Sequence, residues 1–366
     1  MTDPPPGTAP TSVRTLGIFP GEGIGPEVVE AALTVLRASE ASGDGPRCEL
    51  HFGGSIGIQA IHECGRPLSD QACEFCTAIF EAGGAILAGA GGDRFVYETR
   101  RQFGLYCKLN PLIPSRVPLQ ASRLRPGHAD GVDVLVVREN LGGIYQGVWD
   151  ESHCEHNGRV ARQEFFYHEG QVRRILQVAT SLARERRGHL TVVVKPNGVP
   201  TISRLWLDCA RELTAGSSLK LSELEIDYAA FALIQDPHRF DVIVTPNLFG
   251  DILSDVGGVL LGSRGLCYGG SFSASGAAIY QTNHGAAHDL AGTDRANPVG
   301  QILALAMMLH ETFGATREAA RIRLAVEQVW RRGFRTDDLA EPGCQRVGTQ
   351  ELAALIAAEI SDPTPG

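Results

Sequence analysis

Five short apolar runs set the strongest limit on what this chain can fold into. They are TLGIF (15–19), AILA (85–88), VDVLVV (132–137), LTVVV (190–194) and DVIVT (241–245), and each is followed at once by proline, glycine or a charged residue. Runs this short and uninterrupted suit strands covered on both faces, not the alternating strands of a half-wet sheet. Helical patterns separate them: Pro26 to about Glu40, with Val28, Val29, Ala32 and Leu36 on its apolar side, then Gln171 to Arg187, Gly300 to Phe313 and Thr349 to Ile360. Strands that alternate with helices predict an α/β architecture. With 366 residues the chain exceeds what one core usually supports, so two domains are expected. Residues 1–15 read as a disordered lead.

The turn after the first strand, Gly21-Glu22-Gly23-Ile24-Gly25-Pro26-Glu27, opens the first helix, but its glycines do not have G-x-G-x-x-G spacing. A Rossmann dinucleotide site is therefore not expected. Residues Gly147 to Gln163 are polar and histidine-rich without a period, which reads as a surface excursion.

A net charge of -9 with no basic stripe gives no support to nucleic-acid binding. No segment has the apolar length of a membrane span, and the first residues lack the pattern of a signal peptide. Nine scattered cysteines without such a signal favour reduced thiols and a cytoplasmic protein. Cys73 and Cys76 form a CxxC inside a helical pattern, with no second pair to make a zinc site.

Three segments carry chemistry. In NLFGDILSD (247–255), Asp251 and Asp255 lie four apart, so a helix would put both carboxylates on one face. Oxygen donors of this kind suit Mg²⁺ or Mn²⁺, and the same pair also reads as solvated or capping acids. Arg94, Arg100, Arg101, Lys108 and Arg138 gather around two apolar runs in an otherwise acidic chain. They suit a multiply anionic ligand, or a solvated surface. Tyr145 follows a glycine pair and Lys195 ends LTVVV; both are candidate acid–base groups if a cationic or metal-bearing site lowers their pKa values. Finally, His284 to Gly292 is a Gly/Ala-rich loop in which Gly285 lets backbone come close to a flat ligand, and Asp289 could hold ribose hydroxyls.

Together, GEGIGPE (21–27), VRENLGGIYQG (137–147), VVKPN (193–197), PNLFGDILSD (246–255) and HGAAHDLAGTDRANP (284–298) resemble the β-decarboxylating dehydrogenases. That family includes isopropylmalate, isocitrate, homoisocitrate and tartrate/D-malate enzymes, and the general pattern is nearest the isopropylmalate members. The resemblance implies an open twisted α/β sheet of the family's own kind. Its larger domain would be discontinuous, residues 16–107 plus 260–366, and its smaller central one would span 108–259. It implies NAD- and Mg²⁺- or Mn²⁺-dependent oxidation of a malate-like 2-hydroxy diacid, with decarboxylation, by a homodimer that shares its active sites.

Residue by residue, Asp251 and Asp255 match metal acids, and Asp227 matches the acid supplied by a partner subunit. Tyr145 and Lys195 match the acid–base pair, with Asn197 beside the lysine. Arg100 and Arg138 match two of three arginines that clamp carboxylates. His284, Gly285, Asp289 and Asn297 match the adenosine site, and Gln281 takes the place of a glutamate near the nicotinamide.

The sequence also departs from the pattern. The family's Asn-Leu-Arg-Pro reads Lys108-Leu109-Asn110-Pro111, so Asn110 replaces the third arginine and Lys108 brings a cation to a shifted position. Val96 and Tyr97 stand where isopropylmalate enzymes carry a leucine pair, and Arg94 and Val96 where isocitrate enzymes carry Ser and Asn. The segment between Gly92 and Arg100 is a short loop. Glu22 replaces an aspartate and His288 a proline. These changes, several of them at substrate-facing positions, predict a specialised malate-like substrate. Isopropylmalate itself, a tartrate-, D-malate- or homoisocitrate-type substrate, and a non-catalytic relative are the alternatives.

Overall fold

The computed structural model describes residues 13–43, 46–115, 117 and 124–362. Its main strands are β1 (Arg14–Phe19), β2 (Cys48–Phe52), β3 (Ala85–Ala88), β4 (Cys107–Leu112), β5 (Val134–Glu139) and β6 (Val148–Cys154). They continue as β7 (Gly158–Glu164), β8 (His189–Val194), β9 (Lys220–Glu225), β10 (Val242–Thr245), β11 (Tyr268–Phe272) and β12 (Ala278–Thr282).

The chain divides into two compact units. One runs from the amino-terminal stretch to Gly92 and adds Gly276–Gln281 and everything from Gly285; the other holds Asp93–Ser275 with Thr282–His284. The sequence expectation drew these limits at 107/108 and 259/260. Two facts draw the second unit wider. Arg100, on the helix Phe95–Gln102, is buried beside Arg138, and β11 pairs antiparallel with β4.

In the first unit the strand order is β2-β1-β3-β12, all parallel. In the second it is β11-β4-β5-β10-β8-β9, antiparallel as far as β5 and parallel beyond. Helices flank these mixed sheets, an α/β arrangement without the Rossmann glycine fingerprint. Val134, Val136 and Val137 of β5 and Val242, Ile243 and Val244 of β10 are fully buried, as the unbroken apolar runs require. Each such side chain contributes roughly 1.5–3 kcal/mol through burial.

Several local readings change. The strand β1 begins at Arg14, inside the expected lead; residues 1–12 of that lead lie outside the described residues. The segment before Arg100 is mostly helix (Phe95–Gln102), because Phe95, Thr99 and Arg100 bury one side of it. The excursion at 147–163 is the exposed hairpin β6–β7, whose polar composition suits a two-stranded ribbon with little to cover. Cys73 and Cys76 lie on the helix Asp70–Glu81, and none of the nine cysteines forms a disulfide. Among the described residues no helix is long and apolar enough to cross a membrane.

The glycine-rich turn after β1 is a packing device. A Cβ on Gly23, at φ +60°, would collide with the Ala286 carbonyl, which accepts the Ile24 N–H at 2.8 Å. Ile24 and Val28 then pack on Ala296, with Ala287 and Leu290 against them. Glu22 accepts from the backbone N–H groups of Gln59 at 2.7 Å and Gly92 at 2.8 Å, so it joins the start of the helix Gly57–Cys64 to the loop at Gly92.

Candidate active site

The site in the second unit is built where β5 ends and the helix Asn247–Leu261 begins. Asn247, fully buried, fastens the two together. Its N–H donates to the Tyr167 hydroxyl at 2.9 Å, its Nδ2 donates to the Gly142 carbonyl at 2.9 Å, and its Oδ1 accepts from Arg138 Nε at 3.0 Å. Arg138 lies along Gly250, where an added Cβ would come 2.7 Å from the arginine's Cβ and Cγ. The glycine is what lets the guanidinium reach forward.

One helical turn on, Asp251 pairs with Arg138 Nη1 and accepts from the Tyr145 hydroxyl at 2.8 Å. Burial raises the Asp251 pKa, but Arg138, the Tyr145 hydrogen bond, Lys108 and Arg100 together outweigh it and hold the carboxyl below its ordinary value. It is therefore ionised at neutral pH. Arg100 and Lys108 complete the cationic wall, each 4 % exposed. Lys108 faces Arg138 across the β4–β5 pairing, and cross-strand partners share a sheet face. Burial, then the two arginines, depress the Lys108 pKa well below that of a free lysine. Arg100 Nε, Arg138 Nη2 and Asn110 Nδ2 are buried with no hydrogen-bond partner among the described residues.

Beside this wall, the Tyr97 and Tyr145 rings stand 5.1 Å apart. Arg94 lies over Tyr97 at 5.2 Å and Trp149 at 4.6 Å, and donates to the Tyr145 carbonyl at 3.2 Å. Val96, on the same helix, is half-buried.

A second cluster sits at the end of β8. Lys195 Nζ donates to Glu225 at 2.6 Å and Asp227 at 2.8 Å, and Asn197 Nδ2 reaches Glu225 at 3.4 Å. The first cluster thus joins Arg100, Lys108, Arg138, Tyr145 and Asp251, and the second joins Lys195, Asn197 and Asp227. No hydrogen bond among the described residues links the two. In the chain alone, burial and then the Asp251 hydrogen bond raise the Tyr145 pKa, while the hydrogen bonds that Lys195 donates to Asp227 and Glu225 raise its own.

Asp251 and Asp255 share the helix, with Asp255 bound to Arg264 at 2.8 Å. Among the described residues no three His, Cys, Asp or Glu side chains converge to hold a metal ion. The two aspartates are hard oxygen donors suited to Mg²⁺ or Mn²⁺, while Asp227 is taken up by Lys195.

In the first unit, the loop from Gly285 to Pro298 leaves Asp289 exposed, and a Cβ on Gly285 would meet nothing within 4 Å. Open backbone and a free-standing carboxylate fit a ribose diol. Asn297 is differently occupied. Its Oδ1 accepts the Val299 N–H at 3.0 Å and its Nδ2 donates to Asp338 at 3.0 Å, so it starts the helix Val299–Glu311. Asp294, at φ 55°, accepts from Thr349 and Gln350 and starts the last helix, Thr349–Ser361. Gln281 is half-buried on β12, and His284 half-buried beyond it.

Sequence reading overlooked Asn247, Tyr167, Glu225, Trp149 and Asn283. Asn247 stood inside the NLFGDILSD motif. The others lie outside every motif, and only tertiary contact reveals them.

Strand ends, buried cations and an ionised aspartate define an enzyme site for an anionic substrate. The family model described as isocitrate/isopropylmalate dehydrogenase matches residues 15–356, and the chain belongs to that family. It is 38 % identical to the 3-isopropylmalate dehydrogenase of Geobacillus kaustophilus, over 95 % of this chain and 96 % of the relative. It is 37 % identical to that of Bacillus licheniformis, with the same coverage. Among solved structures, isocitrate dehydrogenase from Methylococcus capsulatus superposes with a TM-score of 0.85 at 30 % identity, covering 95 % of this chain and all of that one. The chain is accordingly an NAD-dependent oxidoreductase, and family membership gives it a malate-like 2-hydroxy diacid to oxidise. A non-catalytic role is set aside.

Proposed function

We propose that this enzyme oxidises and decarboxylates a diacid of the 3-isopropylmalate type with NAD. The specialised substrate expected from the sequence departures gives way to this reading, because the relatives named above are 3-isopropylmalate dehydrogenases. The observation that carries it is the set of buried, unpartnered donors on Arg100 and Arg138 beside Asp251 and Tyr145. Unpaired buried donors are costly, and carboxylate oxygens would satisfy them. The paired rings of Tyr97 and Tyr145, with Val96, offer apolar surface for a branched substituent despite Arg94 nearby.

A divalent cation held by Asp251 and Asp255, with the partner subunit's Asp227, would acidify the 2-hydroxyl and draw electron density from the carbonyl. Arg100 and Arg138 orient the carboxylates. Once freed from Asp227 and in its neutral form, Lys195 takes the hydroxyl proton as hydride leaves C2 for NAD, which yields the 2-oxo acid. When CO₂ departs, the electron pair of the broken bond moves toward the carbonyl, and Tyr145 returns a proton to C3. Asp289 accepts from the ribose hydroxyls of NAD and would repel a 2′-phosphate, while His284, Gly285, Asn297, Gln281 and Asn197 flank the cofactor. The working unit is a homodimer with sites shared across subunits, and nine cysteines without a disulfide suit the cytoplasm.

The test is NADH formation and CO₂ release, with Mn²⁺, from 3-isopropylmalate, isocitrate, homoisocitrate, tartrate and D-malate. The highest kcat/KM should fall on 3-isopropylmalate, with CO₂ equal to NADH. A clear preference for another diacid, or NADH without CO₂, would overturn this reading.

A further inference from the structure

Lys108 and Asn110 lie two apart on β4, opposite Arg138 and Val136 of β5. Lys108 is almost wholly buried beside two arginines and forms no ion pair among the described residues. Asp251 and Asp255 favour its charge from a distance, but burial and the two arginines outweigh them. Asn110 is fully buried, and its Oδ1 accepts from Asn283 Nδ2 at 2.9 Å. That bond fixes which way the amide faces and leaves its Nδ2 as an unpartnered donor. Gly269, on β11, makes room for both side chains. A Cβ there would stand 2.7 Å from Asn110 Oδ1 and 3.4 Å from Lys108 Cε.

An ordinary core position would not keep a lysine and a half-satisfied amide together under a missing side chain. The missing partner for both is an anion. Arg100, Lys108 and Arg138 stand together by the carboxylates of Asp251 and Asp255, and burial disfavours the lysine's charge, a cost that a bound anion would offset.

We infer that Lys108 and Asn110, with Asn283 as the positioning residue, jointly hold one carboxylate of the substrate. This rests on the diacid reading above. An arginine delivers two parallel N–H groups from one plane; here an ammonium and an amide deliver separate donors from neighbouring outlooks on one strand.

The test measures KM and kcat separately for 3-isopropylmalate, with NAD and Mn²⁺, in full-length protein. Lys108→Met should raise KM at least about tenfold, the loss expected for one charge-assisted hydrogen bond. The double variant Lys108→Met/Asn110→Arg should recover most of that loss, a rescue that a merely structural lysine would not allow. Asn283→Ala should raise KM less and leave kcat nearly unchanged. If Lys108→Met fails to fold, Lys108→Gln takes its place. An unchanged KM in the folded lysine variant, or no recovery in the double variant, would overturn the inference.

Thermal protection by malonate, without nucleotide, reads the same pocket independently. Malonate should raise the Tm of the wild type but not of Lys108→Met. Equal protection of both, or of neither, counts against the lysine. If the wild type turns over no diacid yet shows the malonate difference, the function proposed above fails and the anion site stands.

Discussion

Glu139 shows how closely one side chain can be tied to pH. It is fully buried next to Arg138, and burial pushes its carboxyl up to about 7 although Leu141 and Gly142 donate to it at 2.9 and 2.8 Å. In the unfolded chain the group ionises near the ordinary value of about 4.3. Between these two values the native state holds a proton that the unfolded state has released. Stability therefore falls as pH rises through the window from about 4.5 to 7, by at most about 3 kcal/mol. Urea midpoints at several pH values should show this slope in the wild type and its loss in Glu139→Gln; an equal slope in both would assign it elsewhere. None of this was visible in the sequence, where Glu139 read only as the neighbour of an arginine. Asp251 and Asp255 were different, because a spacing of four on a helix is enough to set two carboxylates on one face. What the spacing could not give was their company: Asp251 faces Arg138 and Tyr145, and Asp255 faces Arg264.

The five apolar strands were the most legible elements, since an unbroken apolar run needs cover on both faces and only a few arrangements supply it; the more polar strands, β6 and β7 among them, were not. The helix before Arg100 was less legible too, because only Phe95, Thr99 and Arg100 bury it and an arginine does not read as core. The glycine turn at 21–25 was legible as a tight turn and opaque as to purpose. In the structure its purpose is clearance for the Ala286 carbonyl, which fixes the loop bearing Asp289 against the first helix, Gly25–Ala41. Gly23→Ala should displace that loop and strain the turn, with a stability loss of about 1–3 kcal/mol. The larger effect expected is a rise in KM for NAD with little change in KM for the diacid. Steady-state kinetics with each substrate varied in turn separates the two, and equal effects on both would count against a loop confined to the nucleotide.

The pairing of Lys195 with Asp227, remote in hydrogen bonding from Tyr145 and Asp251, bears on assembly. On the proposed shared-site reading, a second copy completes the acid–base apparatus whose two parts one chain keeps apart. Tyr145→Phe and Lys195→Met, each nearly inactive alone, should therefore complement when unfolded together and refolded. Random pairing gives half heterodimers with one intact site each, so about a quarter of wild-type activity should return. No recovery in mixtures shown by sedimentation to be dimeric would place both residues in the same subunit's site.

Asp294 ties the last helix, Thr349–Ser361, to the loop proposed to hold the cofactor. The last helix hangs by its first two N–H groups from the same short loop that carries Asp289. Whatever pulls on the tail, whether an affinity tag, a fused reporter or a surface tether, pulls on the residue proposed to tell one dinucleotide from the other. Fusions for biosensing or immobilisation belong at the opposite terminus, and a deliberate tether at the tail becomes a handle for tuning cofactor preference.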